Sequence, residues 1–123
     1  MNTTKTILNG KEVEMRFGTW SIIQLGKQGV KLSEIDKFLT ENPFEAVCKI
    51  AYLSACNAVN KGDLTAYEEN DFYDWIDEHG MNSDEVVKVV NGFVNWITIH
   101  SPKEVKAKKK KDEKPFEEPR DEK

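Results

Sequence analysis

Apolar residues alternate with polar ones at the start of the chain. Val13, Met15 and Phe17 are separated by Glu14 and Arg16, the two-residue period of a strand with one apolar and one wet face. The segments "KTIL" and "KEVEMRF" flank Asn9-Gly10, the dipeptide that most favours a two-residue type I′ turn, which predicts a hairpin over residues 1–17. A lone hairpin is marginal in water, so its apolar face must lie against the helices that follow. Past Phe17 the period lengthens. Trp20, Ile22, Ile23 and Leu25 predict a short helix stopping between Gly26 and Gly29. Ser33-Glu34-Ile35-Asp36 resembles a capping box ahead of a stripe of Ile35, Phe38 and Leu39.

Asn42-Pro43 is a cap followed by proline at the first helical position. The helix it opens carries Phe44, Val47, Cys48, Ala51, Ala55, Ala58 and Val59 on one stripe, with Ile50 and Leu53 off it. A helix apolar nearly all round belongs at the centre of a fold. Lys61-Gly62-Asp63 ends it. In "TAYEENDFYDWIDEHG", Thr65 and Glu68 have capping-box spacing, and Phe72, Trp75, Ile76 and His79 fall on one helical face. Gly80 stops that helix. Ser83 with Asp84 and Glu85 opens a last one, whose stripe is Val86, Val90, Phe93 and Ile97; its four valines and internal Gly92 pull toward strand, and its cap and length decide for helix. The expected fold is mainly α, a compact bundle of about five helices with a short N-terminal β-hairpin.

Composition separates this region from the rest. Hydrophobic residues are 38% of the 123 and charged residues 33%. From Ser101 onward, sixteen of twenty-three residues are charged and three are proline, so residues 101–123 are predicted to be a disordered tail behind a folded domain at 1–100. Residues 1–100 hold nine Lys/Arg and fifteen Asp/Glu, a net −6; the tail is +2. That balance argues against a phosphate-gripping face, although the run Lys108, Lys109, Lys110, Lys111 could touch nucleic acid. No secretory signal or bilayer-spanning run is evident. Cys48 and Cys56 are about 12 Å apart along one helix, beyond disulfide reach, and read as buried apolar residues in a reducing compartment.

The six carboxylates between Glu68 and Glu78 raise the question of chemistry. Aligning Gly80 with the invariant glycine of an EF-hand loop puts ligand positions on Trp75, Asp77, His79 and Val86, and only Asp77 could supply a carboxylate. The two His and two Cys lack zinc spacing. Asp74 and Glu78 lie opposite Trp75 and Ile76, where water keeps carboxylates ordinary. The acids form a solvated helix face. No enzyme is read here, and no cofactor. What remains is aromatic surface. Trp20, Tyr52, Tyr67 and Tyr73 lie at the margins of their stripes and are the expected partner-binding residues.

The order of motifs resembles that of tail assembly chaperones of long-tailed, siphovirus-type bacteriophages. The resemblance rests on "LNGKEVEMRFGTWSIIQL", "GVKLSEIDKFL", the Asn-Pro-led helix and "DFYDWIDEHG", over approximately residues 7–98. It implies a non-catalytic factor of the host cytoplasm, absent from the mature virion, that binds the tape measure protein and helps recruit tail tube subunits; apolar surface suited to that task could also self-associate when unoccupied. It also implies a longer product made by ribosomal frameshifting, for which the codons of Lys108–Lys111 would be the slippery stretch. No catalytic residues come with the family. The alternative is a small regulatory or adaptor domain whose basic tail contacts nucleic acid or an acidic protein. A helix-turn-helix in "GVKLSEIDKFLTENPFEAV" would carry Glu41 and Glu45 at its recognition helix, the wrong sign for a major groove.

Overall fold

The computed structural model describes residues 2–101. Strands β1 (Thr3–Leu8) and β2 (Lys11–Arg16) form an antiparallel hairpin, followed by α1 (Thr19–Lys27), a 3₁₀ turn (Leu32–Glu34), α2 (Ile35–Glu41), α3 (Pro43–Asn57), α4 (Glu69–His79) and α5 (Asp84–His100). Five helices and a two-stranded hairpin are thus the architecture. The tail and its Lys108–Lys111 run lie outside the described residues.

The hairpin follows from its turn. Asn9 and Gly10 both take positive φ, 52° and 77°, as a type I′ turn requires, and this pairs Leu8 with Lys11 and Thr6 with Val13. Val13, Met15 and Phe17 then point inward and are buried. β2 packs on α3, while β1 packs on α5 and α4. The base of the hairpin is tied by Asn2, whose side-chain amide donates to the Phe17 carbonyl at 2.7 Å. Asn57, at the end of α3, donates to the Arg16 carbonyl at 3.0 Å.

α3 is the axis of the molecule, touching α1, α2, α4, α5 and β2. Ala46, Val47, Ile50, Ala51, Leu53 and Ala55 are all buried, so most of its circumference is covered, and Lys49 and Tyr52 mark the one side that is half-exposed. The small side chains allow neighbouring elements close approach on several sides. Just beyond the end of α3, Asn60, Lys61 and Gly62 all take positive φ and turn the chain away.

Several local expectations are corrected. Thr65 does not cap α4. Its hydroxyl and amide donate to the Asp63 carboxylate at 2.6 and 2.9 Å, closing a turn just after α3. The helix begins at Glu69 instead, and Asp71 accepts from the Glu68 amide at 3.0 Å. Ser33 lies inside the 3₁₀ turn rather than at a cap, and Glu34 reaches back to the Lys31 amide at 3.5 Å. On α1, Ser21 and Leu25 face the core while Ile23 is 51% exposed. On α5, Val89 joins Val86, Phe93 and Ile97 in the core, and Val90 is only half-buried. Phe44 is the largest departure: it is 63% exposed, because it stands in the first turn of α3, before that helix enters the bundle.

Candidate functional site

α3 and α4 pack side by side, and at the N-terminal end of α3 a groove of about 400 Å³ lies open between them. Phe44, Glu45 and Cys48 line it from α3, Tyr73, Ile76 and Asp77 from α4. Both triplets follow helical spacing, so each is one ridge of its helix. Cys48 and Ile76 are buried and form the floor; Phe44 and Tyr73, the latter 49% exposed, stand up as walls. Each ridge contributes one carboxylate.

The electrostatics of the groove are one-sided. Lys49 is the basic residue nearest in α3, and its ammonium is held by Glu69 at 3.3 Å and by Gln28 at 2.8 Å. Glu45 and Asp77 have no ion-pair or hydrogen-bond partner among the described residues. The Cys48 thiol donates to the Phe72 carbonyl at 3.5 Å. Burial pushes it up to about 11, and the negative charges of Glu69 and Asp77 add to that. The thiol is therefore protonated and unreactive at neutral pH.

The aromatic residues expected at a partner surface divide. Tyr73 lines the groove. Tyr52 and Tyr67 are half-buried and pack edge-on against Phe72, with ring centroids 6.4 and 6.0 Å away. The Tyr52 hydroxyl donates to the Leu64 carbonyl at 2.8 Å, which pins the α3–α4 connection. Trp20 is half-buried against that connection, so close to Gly62 that a Cβ there would be 2.6 Å from its indole nitrogen. The structure brings none of these three to Tyr73's groove. In their place it brings Phe44, expected in the core stripe of α3, Asp77, expected on a solvated face, and Glu45, to which periodicity assigns no binding role. The available signal was position: a large ring directly after a helix-opening Pro43 can project past the end of the core.

The six acids from Glu68 to Glu78 behave as expected of a solvated face, with Glu68, Asp74, Asp77 and Glu78 exposed and Glu69 turned toward Lys49. His79 is half-buried, edge-on to Trp75, with Nε2 2.8 Å from the Ile7 carbonyl. A carbonyl only accepts, so Nε2 carries the proton of that bond. Among the described residues no group of three His, Cys, Asp or Glu is placed to hold a metal ion. A second, wider concavity of about 710 Å³ lies between β1 and the last turns of α5, where Trp96 stacks on His100 at 4.4 Å. Its lining is mixed polar and apolar. Comparison with protein-family models, with curated proteins and with solved structures returns no match.

Proposed function

We propose that the chain is a non-catalytic tail assembly chaperone of a long-tailed bacteriophage, acting in the host cytoplasm. In this reading it holds the tape measure protein soluble and helps recruit tail tube subunits. The motif order described above supports the family; the observation that carries a binding role is the open apolar groove between α3 and α4. A long coiled-coil protein presents rows of large apolar side chains at its a and d positions, and these aggregate when unpartnered. A groove between two helices receives such side chains in the helix-in-groove manner. The net charge of −6 on residues 1–100 would keep a loaded complex soluble.

The test is affinity capture of the tagged full chain co-expressed with the genes that flank its own, with the captured proteins identified by mass spectrometry. One very long helix-rich protein is expected, with or without a tube subunit. Capture of nucleic acid or a transcription complex instead would replace this reading with the adaptor one. Sequencing the codons for Lys108–Lys111 checks the frameshift separately: the absence of a slippery heptamer there removes the longer product from the proposal.

A further inference from the structure

We infer that the groove between α3 and α4 seats a basic amphipathic helix, with one large apolar side chain between Phe44 and Tyr73 and Lys or Arg residues a turn away paired with Glu45 and Asp77. This rests on the helical-partner reading above and specifies where that partner binds and what chemistry it must carry.

The apolar half of the inference comes from the two walls. Phe44 and Tyr73 are large exposed rings on either side of a floor of buried side chains. Rings of this kind gain most when a partner's side chain fills the space between them and excludes solvent. The lining residues form two helical ridges side by side, the kind of surface between which a third helix can lay a ridge of its own.

The charged half comes from Glu45 and Asp77. Among the described residues neither is paired with a cation, and the neighbouring Lys49 is already committed to Glu69. The thiol at the floor feels this field, since Asp77 and Glu69 both oppose its ionisation. A cationic partner would relieve the imbalance; an acidic one would worsen it.

Charge also separates the possible occupants. A two-fold pairing of two copies through this groove would bring Glu45 and Asp77 of each copy toward the same carboxylates of the other. The chain's own Phe116, an apolar side chain in 102–123, is followed directly by Glu117 and Glu118, so seating it would carry two acids to an acidic rim. A partner with Lys or Arg around its apolar anchor has neither difficulty.

The experiment uses the full chain and two fluorescein-labelled peptides of about 18 residues, long enough to hold a helix when bound. Both carry Leu at a and d; one has Lys at e and g, the other Glu. Anisotropy titration is expected to give binding of the Lys peptide and at least about tenfold weaker binding of the Glu peptide. Phe44→Ser should weaken the Lys peptide by about tenfold with the circular dichroism spectrum unchanged, since Phe44 is exposed. The double variant E45K/D77K should reverse the preference, whereas D74K/E78K, on the outer face of α4, should not. Equal affinity for the two peptides, or equal loss in both double variants, overturns the inference. So does a rise in Lys-peptide affinity on Phe116→Ser, which would place the chain's own segment in the groove. A dimer in light scattering that Phe44→Ser abolishes would assign the groove to a second copy, with the same consequence.

The two readings fail separately. If wild type, Phe44→Ser and E45K/D77K all capture the same long helical protein in co-expression, the groove assignment falls and the chaperone reading stands. If the peptides behave as expected but no such protein is captured, the groove stands and the chaperone reading falls.

Discussion

Gly92 is a residue on which two local rules disagree. It stands inside α5, where alanine is favoured over glycine by about 1 kcal/mol. A Cβ at that position would lie 2.7 Å from Phe17 Cζ and closer still to Cε2, and Phe17 is buried against the core. Packing should win. Gly92→Ala is expected to destabilise by about 1–3 kcal/mol in urea unfolding, and a gain in stability would mean that the Phe17 ring moves aside. Ser54 is the converse case. Its hydroxyl is fully buried in α3 and has no hydrogen-bond partner among the described residues, so Ser54→Ala should raise stability by about 1 kcal/mol in the same assay. Cys48 gives a chemical test of the groove floor. With its thiol raised to about 11, about one molecule in a thousand carries the thiolate at pH 8. Labelling by Ellman's reagent in the folded state should therefore be slow and accelerate steadily as pH rises from 8 to 10.

Three elements meet at Thr6. The buried Trp75 indole of α4 donates to the Thr6 hydroxyl at 2.9 Å, and that hydroxyl donates to the Glu85 carboxylate of α5 at 2.7 Å. Thr6→Val keeps the shape and removes both bonds, leaving the indole N–H unpaired; a cost of about 1–3 kcal/mol at pH 7 is expected. The bond from Thr6, supported by Lys88, holds Glu85 below its ordinary carboxylate value. A group depressed in the folded state stabilises it above the unfolded value of about 4.3, and that contribution fades as pH falls through the lower folded value. Thr6→Val should therefore flatten part of the acid-side loss of stability, measured as melting temperature between pH 6 and pH 3. The elements themselves were legible where the signals were local: the Asn9-Gly10 turn, the Asn42-Pro43 start and the Ser83 cap, whose hydroxyl accepts from the Val86 amide at 3.3 Å, all stand where sequence places them. Thr65 was misread because two local partners compete for it, and Asp63, two residues away, takes it into a turn before it can cap a helix.

Across the whole molecule the surplus of six negative charges on residues 1–100 sets what the surface can attract. The full chain is expected not to bind duplex DNA in a filter assay at about 0.15 M salt, and binding that persists there would favour the adaptor reading. Among the described residues no helix is long and apolar enough to cross a membrane.

Periodicity was enough to define a two-stranded hairpin, five helices and a central α3, because burying one face of each element leaves a repeat of two or of 3.6 in the chain. Local chemistry likewise fixed the hairpin turn and the starts of α3 and α5. The groove was beyond its reach. Phe44 belongs to the apolar stripe of α3 by spacing, and whether it is core or surface depends on how far α4 extends along α3, a long-range packing fact. The same packing sets Asp77 on the same groove as Glu45, thirty-two residues away in the chain, and holds Tyr52 and Tyr67 against Phe72. A stripe records that a side chain prefers to leave water; only the neighbouring elements decide whether there is anything there to cover it.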